Sequence, residues 1–312
     1  MITVYPETGK PLWVDLCDPT PDEIAQACDD YGLAIPPREQ LEEIEFSSRL
    51  QYEDGVFTIS VPITPHNKSD TGENETTPLG FVLTRDILVT VRFSHLHTFK
   101  PIMERVKRRR RTAPDIFMVI IEAVIDYGAD RLEELRGEAL GISRRIFHKE
   151  MHEMQRHYAA AGNLLRDTLV RIGDMGERMS YIRDTMLVLQ RAMPFLTEHG
   201  DDWMEPLVKA RLKMAAADVQ SLNEYEVHLT DKLQFLLDAA LGFISTEQND
   251  LFKVMTIWSV VGIPPVLMAG IWGMNFHVMP ELSWPLGYPM ALATIAVSAL
   301  VPLLWFKWRG WW

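Results

Sequence analysis

Few residues in this 312-residue chain stand where their types and spacing could do chemistry. His152 and His157 flank Glu153 in a pattern close to the H-E-x-x-H signature of zinc hydrolases, with His148 one turn earlier. That signature needs two histidines four apart on one helix face, a third ligand and an enclosing cleft. His152 and His157 are five apart, which turns the second off the face of the first, although His148 and His152 do share one. They read as solvated histidines, with incidental metal binding as the other reading. A run of bases from Lys107 to Arg111 could meet phosphates, or could pair with the chain's own carboxylates. Asn275, reached through Gly273 and Met274, is a neutral oxygen donor closing a charge-free run. Its amide oxygen can accept hydrogen bonds from water bound to a cation. Alternatively, Asn275 simply caps a helix end in the left-handed conformation. Glu281, in Met279-Pro280-Glu281-Leu282, either draws cations to an opening or tethers a loop. There is no phosphate-cradling glycine loop and no dinucleotide fingerprint, so neither ATP-driven pumping nor an organic cofactor is expected.

The elements that must position Asn275 are two apolar runs. Residues 254–276 and 284–306 each hold 23 residues without Lys or Arg, and Glu281 between them is the only carboxylate after residue 253. At about 1.5 Å per residue each run reaches roughly 34 Å, enough to cross a hydrocarbon core of about 30 Å. Only residues 277–283 join them, so they form a tight hairpin. Trp258, Trp272, Trp284, Tyr288, Trp305, Trp308, Trp311 and Trp312 crowd the ends, as interfacial anchors do. Lys253, Lys307 and Arg309 flank the pair while the connecting loop has no base. The positive-inside rule then places both termini in the cytoplasm. Two buried core helices are the soluble alternative, which runs of this length and flanking disfavour.

Residues 1–253 carry 42 acids against 29 bases, a net charge of −13. Such a domain repels nucleic acid and concentrates cations nearby, or its charge merely keeps it soluble. Two cysteines, Cys17 and Cys28, are too few for a disulfide framework and fit a reducing compartment. The N-terminus has no basic segment followed by an apolar run, so no signal peptide is expected.

The first hundred or so residues mix strands and helices. Leu12–Leu16, Val56–Pro62, Gly80–Thr84 and Ile87–Phe93 have strand character. Thr20 caps a helix opened by Pro21, and Pro36-Pro37-Arg38-Glu39 opens another. Asn67 to Thr77 reads as a polar loop. From Pro114 onward helices take over, to about Met151, then from about Gln155 to Met193, supported by spacings such as Asp174 with Arg178. A third helix begins near Asp202. Leu222, Tyr225, Leu229, Leu233, Leu236, Ala240 and Phe243 form an apolar seam at spacings of 3, 4, 4, 3, 4 and 3. No strong breaker appears before Gly262 and Pro264, so one helix of roughly 70 residues, about 100 Å long, runs into the first span. A helix this long is expected to need other subunits for burial. A second stripe continues upward through Asn249, Phe252, Thr256, Ser259, Ile263, Val266, Gly270 and Gly273. It suits either a narrow axis or close packing between helices.

Gly273-Met274-Asn275 at the end of the first of two C-terminal spans, followed by Met279-Pro280-Glu281-Leu282, resembles the CorA family of magnesium and cobalt channels. The likeness extends to Gly242-Phe243-Ile244, Glu247-Gln248-Asn249, Pro264-Pro265, Gly287-Tyr288-Pro289, Phe306-Lys307, Trp13-Val14-Asp15-Leu16 and Leu41 to Glu45. The resemblance implies an α+β membrane protein assembled as a homopentamer. A cytoplasmic α/β domain would occupy 1–113, a long-helix domain and stalk 114–249, a pore-lining span 250–276, a periplasmic loop 277–283, a second span 284–306 and a basic tail 307–312. It further implies a filter of Gly273, Met274 and Asn275, with Asn275 amides holding hydrated Mg2+. The pore would be lined by Asn249, Phe252, Thr256, Ser259, Ile263, Val266 and Gly270. Magnesium sheds water reluctantly, so neutral oxygens that hold its outer shell suit conduction. Ile263 and Val266 stand where some relatives carry Met and Thr, which suggests an apolar gate and removes a polar ion site. The resemblance implies uptake of magnesium, cobalt and possibly nickel through the inner membrane, with magnesium also regulatory. Asp218, Glu224 and Asp231 lie on the stalk, but Met214 and Ala217 occupy the register of one relative's regulatory acids, so regulatory sites are not assigned. A zinc transporter of the same superfamily is the nearer rival; Met274 argues against it, since zinc-type relatives carry Ile there. A membrane-anchored scaffold without transport is the other.

Overall fold

The computed structural model describes residues 1–6, 8–64, 76–94, 96, 99–107, 111–147, 158–200, 202–274, 277 and 279–311, with the side chains of all except 158–163, 281 and 282. His148, His152 and His157, the centre of the basic run (108–110), most of the Asn67–Thr77 loop, and Asn275 lie outside the described residues. Cα packing divides the chain into two compact units, Met1–Leu237 and Asp238–Trp312.

The first unit opens with a six-stranded sheet: β1 Ile2–Tyr5, β2 Trp13–Cys17, β3 Leu50–Glu53, β4 Val56–Ile63, β5 Thr77–Leu83 and β6 Leu88–Arg92. The spatial order is β1-β2-β6-β5-β4-β3, with β2 and β6 parallel and every other pairing antiparallel. The central strands β2, β5 and β6 are buried along their whole length, because helices cover both faces. On one face Val14, Leu16, Val82, Val89 and Val91 pack with Ala27, Ile35 and Leu41, which come from α1 (Pro21–Tyr31), the segment after it and α2 (Arg38–Leu41). Helix α1 starts where Thr20 accepts from the Glu23 amide and Glu23 Oε2 accepts from the Thr20 amide at 2.9 Å, a reciprocal capping box. A further short helix, α3 (Phe46–Arg49), leads into β3. On the other face Phe81 meets Phe117 edge-on at 5.2 Å, and Trp13 meets Phe99 at 6.2 Å. These partners belong to α5 (Ala113–Phe147) and α4 (Phe99–Lys107).

Next come α6 (Tyr158–His199) and α7 (Pro206–Trp272), the latter 67 residues long. One face of the lower part of α7 is covered within the chain itself, while Met214, Val227 and Phe235 on the same helix stay exposed. Leu229, Leu233, Leu236 and Ala240 of the seam are buried within one chain. Arg183 of α6 donates from Nη2 to Glu226 Oε1 at 2.7 Å, and Phe147 of α5 stacks on Phe235 at 5.7 Å. Arg211 of α7 donates to Glu122 of α5 at 2.8 Å through two nitrogens. Within the first unit, Leu229, Leu233 and Leu236 of the seam thus face helices of their own chain.

The second unit contains the upper part of α7, a 3-10 turn at Pro280–Ser283 and α8 (Gly287–Trp308). Helix α8 closes in a defined way. The Trp311 amide donates to the Phe306 carbonyl at 3.1 Å and the Gly310 amide to the Lys307 carbonyl at 3.2 Å, with Gly310 at φ +71. This paired-bond ending requires a left-handed residue, which glycine takes without steric cost. It folds Trp311 back so that its ring lies 5.5 Å from Phe306.

Candidate ion-conduction surface

Rotation of about 100° per residue separates two faces on the upper part of α7. Ile257, Val261, Pro264, Met268 and Trp272 lie on one and are half-buried. Opposite them, Asn249, Phe252, Thr256, Ser259, Ile263, Val266 and Gly270 form an exposed stripe. Phe252 is 67%, Ile263 63% and Val266 73% exposed, far more than isolated apolar residues on a water-facing helix would warrant. The stripe therefore needs a cover of lipid or other protein. Both α7 and α8 contain windows long and apolar enough to cross a membrane.

The two hydroxyls of the stripe have their protons occupied. Thr256 Oγ1 donates to the Phe252 carbonyl at 2.7 Å, and Ser259 Oγ donates to the Met255 carbonyl at 2.9 Å. Each oxygen then turns lone pairs outward and acts as an acceptor. Acceptors without formal charge suit water polarised by a cation. Pro264 and Pro265 sit inside α7 and lack backbone N–H groups, so the carbonyls of Val260 and Val261 lose their usual helical donors.

Helix α7 ends at Trp272. Beyond it the Gly273 amide is shared between the Ala269 carbonyl at 3.0 Å and the Gly270 carbonyl at 3.2 Å, and the Met274 amide reaches the Ile271 carbonyl at 3.3 Å. The backbone thus tightens as it leaves the helix, with Gly273 and Met274 both exposed. A Cβ on Gly273 would sit 3.2 Å from the Ala269 carbonyl oxygen, which favours glycine at that step. Glu281 contributes its backbone to the 3-10 turn.

Among the described residues no three His, Cys, Asp or Glu side chains converge on a point that could hold a metal within one chain. Asp218, Glu224 and Asp231 are all exposed. On α5, burial and then Glu122 push the Asp126 carboxyl above the usual carboxylate range, as acids facing one another do.

A buried ion pair in the first unit was not anticipated. Asp15 accepts from Arg92 Nη2 at 2.8 Å and from Thr90 Oγ1 at 2.8 Å, and Trp13 Nε1 donates to that same hydroxyl at 3.0 Å. Its signal was visible: an acid inside the apolar run Leu12–Leu16 and an arginine inside Ile87–Phe93 are both costly to bury unless paired.

The CorA-like Mg2+ transporter protein family matches residues 9–308. The chain belongs to the CorA family. Relatives include "Magnesium transport protein CorA" of Wolinella succinogenes, 32% identical over 97% of this chain and 92% of that protein. The protein of the same description from Escherichia coli K12 is 31% identical over 98% of this chain and 94% of its own. The complete CorA magnesium transporter of Methanocaldococcus jannaschii has a similar structure, with a TM-score of 0.70 at 17% identity over 96% of this chain and 91% of that one. Full-length CmaX also shares the fold, at a TM-score of 0.67 and 13% identity over 99% and 90%. This CorA member thus combines an N-terminal α/β unit, long helices and two candidate C-terminal spans.

Proposed function

We propose that the chain forms a homopentameric channel in the cytoplasmic membrane, conducting hydrated magnesium inward and admitting cobalt and nickel. Relatives named as magnesium transport proteins match nearly the whole chain. The observation that carries the proposal is the exposed stripe on α7, which faces away from the half-buried side of the same helix and leads to Gly273. In the proposed assembly, Asn249 at the end of the stalk, and Phe252, Thr256, Ser259, Ile263, Val266 and Gly270 in the span 250–276, line the axis. Gly273, Met274 and Asn275 form the filter, with the Asn275 amides receiving the ion's water shell. Ile263 and Val266 make two apolar rings, which close by shedding water. Residues 277–283 form the periplasmic loop, where Glu281 raises the local cation concentration, and 284–306 make the second span. Both termini are cytoplasmic, with 1–113 and the stalk 114–249 sensing internal magnesium.

Liposomes loaded with a magnesium-sensitive dye provide the test. Each hydrogen bond to a charged partner is worth about 1.5–3 kcal/mol, so Asn275→Ala should cut magnesium flux at least roughly tenfold. Absence of flux in the wild type, or undiminished flux in Asn275→Ala, overturns the proposal. The same assay with zinc decides against the zinc reading when magnesium is the better permeant.

A further inference from the structure

The second unit contains a groove of about 290 Å³ walled by Val254, Ile257, Trp258 and Val261 of α7 and by Leu303 and Trp311. Its lining is apolar apart from indole nitrogens, and its size is at the small end for ligand sites, sufficient for part of one hydrocarbon chain. Two basic residues follow its α8 wall along the chain. Lys307 lies one turn beyond Leu303 on α8, and Arg309 sits 5.5 Å over the Trp305 ring. Among the described residues no carboxylate pairs with either. Lys253, next to Val254, is already engaged with Asp250 at 2.8 Å. The fold-back at Gly310 is what brings Trp311 into the wall. An apolar slot between spanning helices, with basic residues following one of its walls, has the make-up of a site for an acidic lipid.

We infer that this groove holds one acyl chain of an anionic phospholipid, whose phosphate is met by Lys307 and Arg309. The inference rests on the reading that the hairpin lies in a bilayer, and on no property of the filter. Lipid is the occupant favoured over a second copy of the chain, because the slot lies between two helices of one hairpin and Lys307 and Arg309 follow its α8 wall.

The full chain, purified in detergent and stripped of lipid, would be titrated with phosphatidylglycerol or phosphatidylcholine, and the bound lipid counted by native mass spectrometry. Each basic residue near a headgroup contributes about fivefold, so phosphatidylglycerol should be retained roughly thirtyfold better. Lys307→Gln with Arg309→Gln should bring the two lipids to near parity. Val261→Trp or Leu303→Trp, each filling the groove from one wall, should lower retention of both. Equal retention of the two lipids by the wild type overturns the inference, as does retention unaffected by either filling variant. A changed oligomeric mass in both filling variants also overturns it, by showing that another copy occupies the slot. Carbonate extraction separates the underlying reading: a chain that washes off membranes defeats the membrane assignment, whereas an embedded chain indifferent to headgroup defeats only the lipid site.

Discussion

Arg92→Met would strip Asp15 of its counter-charge inside the sheet. The side chains of Asp15 and Arg92 are 4% and 11% exposed, so little solvent is available to take over. After the change Asp15 retains only the Thr90 hydroxyl, itself held by the Trp13 indole. Removing one partner of a buried pair costs about 3–5 kcal/mol, whereas replacing both by apolar groups of similar volume is often near neutral. For a unit of this size 1 kcal/mol corresponds to roughly 2–4 °C in Tm. Arg92→Met should therefore lower the melting temperature by about 6–20 °C, and Asp15→Leu should also destabilise by orphaning the guanidinium. The double variant Asp15→Leu/Arg92→Met should recover most of either loss. Thermal unfolding of the four proteins in one detergent, followed by intrinsic fluorescence, completes the cycle. Strictly additive single effects, or a shift below about 2 °C for Arg92→Met, would refute the reasoning.

Other consequences concern packing and reactivity. A Cβ on Gly128 of α5 would collide with the Met186 methyl of α6, while one on Gly137 of α5 meets nothing within 4 Å. Gly128→Val should cost about 1–3 kcal/mol by overpacking, and Gly137→Ala should gain about 0.5–1 kcal/mol through helix propensity; parallel melting curves compare them. Burial pushes the Cys17 thiol above its ordinary value, with Arg92 only partly offsetting it. Since the thiolate is the reactive form, maleimide should label half-buried Cys28 first at neutral pH. Cys17 should label only at higher pH or on unfolding, as mass mapping after timed quenching would show.

How far the sequence could be read depended on whether a signal was local. Thr20 with Glu23 announces α1 through a bond spanning three residues, and the capping box is where the spacing places it. The central strands were legible because their apolar runs are long; β1 and β3, each four residues at a sheet edge, offer too little pattern. The seam from Leu222 to Phe243 was visible as a seam, but periodicity does not name its partner. Leu233 and Leu236 turn inward on the helix whose Glu226 meets Arg183 and whose Phe235 meets Phe147, relations carried by distant sequence. The stripe from Asn249 to Gly270 was legible as a face and is exposed as one. Trp311 read only as an interfacial anchor, although Gly310 after Lys307 and Arg309 is the mark of a helix end that folds back.

Two consecutive rungs are missing from α7 where Pro264 and Pro265 leave the carbonyls of Val260 and Val261 without donors. A rod bends most easily where its bracing is thinnest, so elastic deformation of this helix concentrates in that one turn. Ser259 lies just before the weak turn and Val266 just after it. A small flexure there would tilt one against the other and leave the helical segments on either side straight.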